Sequence, residues 1–215
     1  MAIPPPPPPP AYPVNLSVEY PDRPLDRLST AFRIFVAIPI MIVLGAVSGT
    51  TWSFYSSSGT VHVVAGAGGL LFLGPLLMIL FRQKYPRWWF DWNRELLRFS
   101  NRVAIYLALL NDQYPSTDEQ QSLHLEIAYP NVESELGRGM PLVKWLLAIP
   151  HYIVLFFLTI GAFFAVIFAW FAILFTGRYP RSIFDFVVGV ARWHNRVTAY
   201  ALILVTDKYP PFSLE

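Results

Sequence analysis

The stretch KYPRWWFDWNRELLRFSNRV at residues 84–103 returns 94 positions later as RYPRSIFDFVVGVARWHNRV at residues 178–197. Both copies hold Tyr-Pro-Arg, Phe-Asp and Asn-Arg-Val in the same places, while the residues between them differ. A self-match of this kind at a fixed spacing indicates that one structural unit occurs twice in the chain.

Shorter matches extend the repeat toward the start of each copy. Ser-Val-Glu-Tyr-Pro at residues 17–21 corresponds to Glu-Ile-Ala-Tyr-Pro at residues 126–130, and Arg33 and Lys144 each stand four positions before Ala-Ile-Pro. These matches predict a proline-rich arm, repeat 1, a linker and repeat 2, at residues 1–14, 15–115, 116–122 and 123–215 respectively. The consecutive prolines of the arm predict a stiff polyproline II segment.

The composition is too apolar for an ordinary soluble domain. Hydrophobic residues make up 54% of the chain and charged residues 14%, whereas about 25% of a typical soluble domain is charged. Residues 34–81 and 145–177 contain no Asp, Glu, Lys or Arg. The lack of cysteine excludes disulfides and thiolate metal sites. The chain is therefore predicted to be an α-helical integral membrane protein.

Each charge-free window is too long for one crossing, because a helix needs about 20 apolar residues to span a bilayer. We predict four transmembrane helices as two tandem hairpins, at residues 28–49, 61–81, 140–159 and 162–177, with the second hairpin turning near Gly161. The fourth segment is short, so a full span and a partly re-entrant helix both stay open. Buried helices of a large soluble protein are the competing interpretation, but a chain of 215 residues has too little other sequence to cover four of them.

Lys and Arg residues flank both predicted hairpins and are absent from the loops at the hairpin tips. Since these residues are enriched on the cytoplasmic side of membranes, both termini and the segment between the hairpins are predicted to be cytoplasmic. Two units of two crossings insert in the same orientation, so the expected symmetry is a pseudo-two-fold axis along the membrane normal.

An amphipathic helix is predicted after each hairpin, at residues 86–101 and 180–195. Each begins at a proline and carries an Arg four positions before an Asp on one face. The residues that this pattern assigns to the membrane interface are Arg87, Trp88, Trp89, Asp91, Trp92, Arg181, Asp185 and Trp193. Tryptophan is favoured at the headgroup layer. Packing on the protein's own cytoplasmic layer is the compatible alternative, because amphipathicity does not choose the surface.

Four apolar or alternating segments end at Tyr-Pro, at residues 16–21, 105–115, 123–130 and 200–210. Their content of Val, Ile, Leu, Tyr and Thr before a proline is typical of strands. We therefore predict a small four-stranded cytoplasmic sheet that joins the repeats. Residues 105–110 and 201–205 could instead continue the preceding helices, because short apolar runs do not distinguish the two structures.

Pro39 and Pro150 lie in the first helix of each hairpin, shortly after Arg33 and Lys144. A proline inside a helix removes a hydrogen bond and kinks the helix, so these positions predict a pseudo-symmetric cleft near the cytoplasmic interface. The functional hypothesis is that Arg33 and Lys144 contact lipid phosphate or another anionic ligand. The competing interpretation is that both side chains snorkel beside kinks that serve packing.

Motifs for catalysis or metal binding are missing from the sequence. The four histidines show no HExxH or other close metal spacing, and neither GxSxG nor a phosphate loop occurs. His151 is the titratable residue expected within a span, where a core or interface-facing histidine and a proton carrier are the alternatives. No cofactor, metal ion or nucleic-acid partner is predicted.

The Tyr-Pro endings, the basic residue before Ala-Ile-Pro, the repeated frame and the closing TDKYPPFSL at residues 206–214 resemble a known protein family. This family is the group of uncharacterised bacterial membrane proteins called domain of unknown function 4389 (DUF4389). The resemblance covers both repeats, and it implies an integral protein of the bacterial cytoplasmic membrane. It implies no activity, since none is established for the family.

Three functional hypotheses follow from these patterns. The favoured one is a noncatalytic accessory or scaffold subunit in the lipid bilayer, with a membrane-protein partner or a second copy of the chain. The alternative is a lipid-interacting or small transport protein that uses the predicted cleft. An enzyme acting at the membrane surface has the least support, because no catalytic constellation is visible.

Overall fold

The computed structural model describes residues 12–48, 52–55, 61–64, 73–117, 119 and 121–215 of the chain. For residues 52–55, 61–64 and Leu73, only the backbone is described. Most of the predicted proline-rich arm, residues 1–11, lies outside the described residues.

The described residues form a mostly helical protein with two separate two-stranded sheets. The first half contains β1 (Val14–Val18), α1 (Arg27–Val36), α2 (Ile38–Ser48), β2 (Trp52–Tyr55), β3 (Val61–Val64), α3 (Leu73–Arg82) and α4 (Arg87–Leu107). The second half contains β4 (Leu123–Ile127), α5 (Val132–Glu135), α6 (Met140–Leu147), α7 (Ile149–Thr176), α8 (Arg181–Thr198) and a π-helical turn (Ala199–Ile203).

Within the described ranges, one helix is long and apolar enough to cross a membrane, and this helix is α7. The bent pair of α1 and α2 is a second candidate if the two are taken as one broken span, since they meet at an angle of 42°. The four transmembrane helices predicted from the sequence are not seen in this part of the chain.

The predicted helix over residues 61–81 is wrong at its start. Val61–Val64 is strand β3, which pairs antiparallel with β2 and places Val61 opposite Tyr55. The helix described in this region is Leu73–Arg82. Val-His-Val-Val is rich in β-branched side chains, which lose rotamer freedom in a helix and favour strands. Residues 65–72 of the predicted span lie outside the described residues.

The predicted turn near Gly161 is also wrong, because α7 runs through this residue as one helix of 28 residues. At 1.5 Å per residue such a helix is about 42 Å long. A single glycine destabilises a helix by only about 1 kcal/mol. Gly161 instead lies against α8. The Phe186 ring of α8 lies 3.6 Å from the position that a Cβ at residue 161 would occupy. The helix ends at Thr176, and the next residue, Gly177, forms a left-handed cap with a φ of +74°.

Strands β1 and β4 confirm two of the four predicted strands. They pair antiparallel with Leu16 opposite Leu125, and both alternate between buried and exposed side chains. The buried residues face α4 and α8, so this small sheet covers one side of the helical core.

The other two predicted strands are wrong, and the alternative of helix continuation holds for both segments. Residues 105–107 are the last turn of α4, and residues 199–203 form the π-helical turn after α8. The amides that follow bond back along the chain, from Leu110 to the Ile105 carbonyl and from Val205 to the Ala199 carbonyl. Local bonding of this kind uses the donors that a strand would offer to a neighbour.

Helices α4 and α8 connect the β1–β4 sheet to the apolar helices. Arg98 of α4 donates from Nε to the Leu125 carbonyl at 3.0 Å, and Arg192 of α8 donates from Nε to the Leu16 carbonyl at 3.0 Å. Helix α8 also packs along α7, with Phe186 against Gly161. The two predicted amphipathic helices are therefore packed on the protein's own layers over much of their length.

Candidate functional site: two buried ion pairs and an apolar cleft

A buried ion pair ties α1 to the segment after α4. The guanidinium of Arg33 is 2% exposed and contacts the carboxylate of Asp112. It also donates to the carbonyl of Asn111 and, at 3.1 Å, to that of Tyr106. The group lies 4.4 Å from the centre of the Tyr106 ring, a cation–π contact. These partners compensate the loss of water around the buried cation.

A second buried ion pair ties α6 to the segment after α8. Lys144 is 0% exposed, and its Nζ lies 2.7 Å from Oδ1 of Asp207. The ammonium also donates to the Thr206 carbonyl at 2.7 Å and lies 5.3 Å from the centre of the Tyr200 ring. The lysine thus has the same kinds of partner as Arg33: an aspartate, a carbonyl and a tyrosine ring.

Backbone amides orient both carboxylates from the other side. The Asp26 amide donates to Oδ2 of Asp112 at 2.8 Å, and the Gly137 amide donates to Oδ2 of Asp207 at 2.7 Å. Each aspartate therefore binds both a cation and the chain that enters the helix carrying that cation. Charge-assisted bonds of this kind fix the start of α1 and of α6 relative to the rest of the protein.

This geometry places Arg33 and Lys144 inside the protein rather than facing a lipid phosphate. Both cations already contact a carboxylate, so neither presents an uncompensated charge to an external anion. The aspartates lie near two of the Tyr-Pro endings, in Asn-Asp-Gln-Tyr-Pro and Thr-Asp-Lys-Tyr-Pro. That common position, two residues before the tyrosine, is the sequence signal that could have identified them.

Both helices that carry the cations break at the following alanine. Pro39 and Pro150 are the second residues of α2 and α7, directly after the breaks at Ala37 and Ala148. The amides of Ala37 and Ala148 still donate to the carbonyls four residues earlier, each at 2.9 Å. Both breaks therefore keep part of the helical bonding, as expected where a proline removes one donor, and α1 and α2 meet at 42°.

The residues predicted for the membrane interface differ in exposure. Arg87, Trp88, Trp92, Arg181 and Asp185 are exposed, Trp89 and Asp91 are half-buried, and Trp193 is buried. Two surface ion pairs join Arg87 to Asp91 at 3.7 Å and Arg181 to Asp185 at 3.4 Å. Trp193 instead donates from Nε1 to Nδ1 of the buried His151 at 3.0 Å, so it belongs to the core between α7 and α8.

A reciprocal amide pair joins α4 to α8 at the centre of the protein. Nδ2 of Asn101 donates to Oδ1 of Asn195 at 2.8 Å, and Nδ2 of Asn195 donates to Oδ1 of Asn101 at 2.7 Å. These are the asparagines of the repeated Asn-Arg-Val. Buried polar groups are stable only when paired, and here each side chain satisfies the other.

Two buried tyrosines reach across the helical core in a similar way. The Tyr85 hydroxyl donates to the Ile203 carbonyl at 2.9 Å, and the Tyr179 hydroxyl donates to the Ala108 carbonyl at 3.3 Å. Burial raises the pKa of both phenols, so both stay protonated and donate at neutral pH. These are the tyrosines of the repeated Tyr-Pro-Arg.

An apolar cleft of about 890 Å³ lies between α1, α4, α7 and α8. Its volume is within the range of about 300–1,000 Å³ that is usual for small-molecule sites. Its wall contains small residues from all four helices, namely Ala31, Ala104, Ala162 and Ala191, together with Ala108 directly after α4. The cleft was not predicted from the sequence, because it forms where helices distant in the chain meet.

Comparison with known proteins identifies one segment of the chain. Residues 140–213 match the family model described as Domain of unknown function (DUF4389). No curated protein and no solved structure matches the chain. The matched segment contains α6, α7 and α8 and both members of the Lys144–Asp207 pair. The match brings no activity with it.

Proposed function

We propose that this protein is embedded in a membrane and acts there as a noncatalytic accessory or scaffold subunit. The observation that carries the proposal is the exposed face of α7. Four of the 28 residues of this helix are buried. The helix contains no Asp, Glu, Lys or Arg. The rings of Phe157, Phe163, Phe168 and Phe175 are 66%, 63%, 67% and 78% exposed. Exposure of apolar surface to water is unfavourable by about 25 cal/mol per Å², which favours cover by lipid or a partner.

The bent pair of α1 and α2 adds a second apolar surface. Ile34, Phe35 and Ile42 are 77%, 68% and 61% exposed. Monomeric soluble proteins rarely expose contiguous apolar patches larger than a few hundred Å². Lipid hydrocarbon, another membrane protein or a second copy of this chain is the environment that suits both surfaces.

In this proposal both described ends of the chain lie on the same side of the membrane. The Tyr12 hydroxyl donates to the Lys208 carbonyl at 3.2 Å, and β1 pairs directly with β4. A bilayer cannot separate segments that touch in this way. Because Lys and Arg favour the cytoplasmic side, we assign these segments to the cytoplasmic face of a bacterial inner membrane.

We further propose that the two halves of the chain are copies of one unit, related by a pseudo-two-fold axis. The amide pair of Asn101 and Asn195 supports this, because each side chain donates a hydrogen bond to the other and accepts one from it. Leu16 lies opposite Leu125, its counterpart in the repeat. Residues on a two-fold axis pair with their own counterparts in this way.

The buried polar groups favour a structural role over a catalytic one. Arg33 and Lys144 bind aspartates, and the central asparagines bind each other. A catalytic group must present a proton, an electron pair or a charge to a substrate. The two cations and the two asparagines instead form their ion pairs and hydrogen bonds with other parts of the same chain.

Native mass spectrometry after mild solubilisation tests the subunit role. We expect the chain to carry a stoichiometric membrane-protein partner or a second copy of itself. Phe157→Ala combined with Phe168→Ala is expected to weaken this association, because it removes part of the exposed face of α7. Phe81→Ala is the control, since Phe81 is 74% exposed but lies on α3. Isolation of the wild type as a lone monomer would contradict the proposal.

The alternative function, a lipid-interacting protein, is favoured by the apolar cleft. Most of its wall is carbon, and few polar groups face it. Such a site suits a hydrocarbon chain better than an anionic headgroup.

A further inference from the structure

Helix α8 returns along α7, so α7 packs on the body of the protein over most of its length. Near the start of α7, Trp193 of α8 donates to His151 at 3.0 Å. Near the middle of α7, the Phe186 ring of α8 lies against Gly161. The two helices are therefore antiparallel, and the short segment 177–180 connects them. Both ends of α7 consequently lie on one and the same body.

The β1–β4 sheet packs against α8, beside the second half of α7. Leu16 of β1 belongs to one buried cluster with Ala169 and Ile173 of α7. The Leu16 carbonyl also accepts a hydrogen bond from Arg192 of α8. Among the described residues this sheet has two strands, so each strand has one edge that pairs with no further strand. The outward side chains of the sheet are polar and exposed, namely Asn15, Ser17, His124 and Glu126.

A bilayer crossing by α7 would place this sheet at the depth of the hydrocarbon. The hydrocarbon layer is about 30 Å thick, so a crossing α7 would carry into it whatever packs beside the middle and second half of the helix. Open sheet edges do not occur at this depth, because lipid chains offer no hydrogen bond to backbone groups. The exposed carboxylate of Glu126 would also lose its water. The structure therefore favours an α7 that lies along the membrane surface over one that crosses.

Exposed cations lie beside the end of α7. Arg178 directly follows the Gly177 cap, and the Arg27 side chain lies 3.7 Å from the position of a Cβ at Gly177. Both arginines are exposed, and neither forms an ion pair with any residue that the structure describes. Basic residues at the edge of an apolar face fit the headgroup phosphates of a lipid layer. The apolar face and its charged edge together indicate one lipid leaflet as the partner of α7.

We propose that α7 lies in the plane of one membrane leaflet and does not cross the bilayer. Its exposed face, which includes Phe157 and Phe168, enters the acyl chains. Arg27 and Arg178 contact headgroup phosphates, while α8 and the β1–β4 sheet stay in water on the cytoplasmic side. The inference deepens the proposed membrane function and rests on it.

Electron paramagnetic resonance of the full chain in phosphatidylcholine vesicles measures the depth of α7. Nitroxides are attached at Phe157→Cys or at Phe168→Cys, and the chain has no native cysteine to compete. The two phenylalanines are 66% and 67% exposed and lie about three helical turns apart. We expect their depths to agree within about 5 Å, the usual range for an interfacial helix, whereas a crossing α7 would separate them by about 16 Å. A nitroxide at Ser17→Cys is the control, and we expect it to lie in water.

Labelling from each side of the membrane provides a second test at positions outside α7. Gly139 precedes α6 and has open space for a side chain, and Ser182 is exposed in the first turn of α8. Gly139→Cys and Ser182→Cys therefore report on the two ends of α7, and they stay informative if a label on α7 disturbs the fold. We expect a membrane-impermeant maleimide to react with both cysteines in inverted inner-membrane vesicles and with neither in spheroplasts.

Three results would overturn the in-plane helix. These are reaction of the two cysteines from opposite sides of the membrane, shielding of both until detergent is added, and nitroxide depths that differ as in a crossing helix. A protein that stays in carbonate-washed membranes and gives any of these results refutes this inference alone. A protein that the carbonate wash releases refutes the proposed membrane role itself.

Discussion

Replacement of Lys144 by methionine is expected to lower the free energy of unfolding by about 3–5 kcal/mol, the usual cost of removing one partner of a buried ion pair. Lys144 is 0% exposed, and its Nζ lies 2.7 Å from Asp207. Methionine keeps the length of the side chain but leaves the carboxylate without its cation. Chemical denaturation of the detergent-solubilised protein, followed by circular dichroism, measures the loss.

Two further variants show whether the charge pair is the cause. Lys144→Met combined with Asp207→Asn removes both charges, and it is expected to recover most of the lost stability because asparagine keeps an acceptor oxygen. Arg181→Ala breaks an exposed ion pair of 3.4 Å with Asp185 and is expected to cost less than about 1 kcal/mol. If Lys144→Met were as mild as Arg181→Ala, the assignment of a buried pair would fail.

Replacement of Phe184 by alanine is expected to lower the free energy of unfolding by a similar amount, about 3–5 kcal/mol, through the cavity that it leaves. Phe184 is 3% exposed and packs edge-on against Tyr20 and Tyr179, with ring centres 5.0 and 5.8 Å away. In the first half of the chain, Phe90 is 1% exposed and packs against Tyr129 at 5.0 Å and Tyr85 at 6.0 Å.

Because the two environments match, Phe90→Ala and Phe184→Ala are expected to give equal losses within about 1 kcal/mol, which is less than the spread of about 2 kcal/mol that one kind of core substitution shows between unrelated sites. Phe164→Ala is the control, since Phe164 is 54% exposed on α7 and its removal leaves no cavity. A severe loss at one phenylalanine with a mild loss at the other would contradict the proposal of two equivalent units.

The sequence predicts secondary structure well where neighbouring residues follow a short repeating pattern of apolar and polar side chains. Alternation of apolar and polar residues identifies β1 and β4, and the proline after Tyr179 marks the start of α8. The residues that recur in both copies of the repeat also make hydrogen bonds between distant parts of the chain. The repeated asparagines form the central amide pair, and the repeated tyrosines cross the core.

Features that depend on distant partners could not be predicted in the same way. Asp112 lies 79 positions from Arg33, and no local pattern says that a carboxylate will meet a cation at that distance. The packing of the Phe186 ring of α8 against Gly161 is likewise a contact between two helices that no local pattern shows. The cleft depends on the spacing of four helices, which hydrophobic periodicity does not encode.

The structure also changes the hypothesis for the two cations. From the sequence, Arg33 and Lys144 are basic residues near helix ends, and contact with an anion is a reasonable expectation. In the structure, each has an aspartate, a carbonyl and a tyrosine ring around it. These contacts anchor α1 and α6, while the apolar face of α7 stays exposed.

We propose above that the exposed face of α7 contacts lipid or a membrane partner within the bilayer. Alkaline carbonate washing of membranes from cells that express the full chain is the experiment for this proposal, because the wash releases proteins held only by charge. We expect the protein to stay in the membrane pellet and to leave it only with detergent. Recovery of the protein in the carbonate supernatant, folded and free of lipid, would show that α7 is not held by the bilayer.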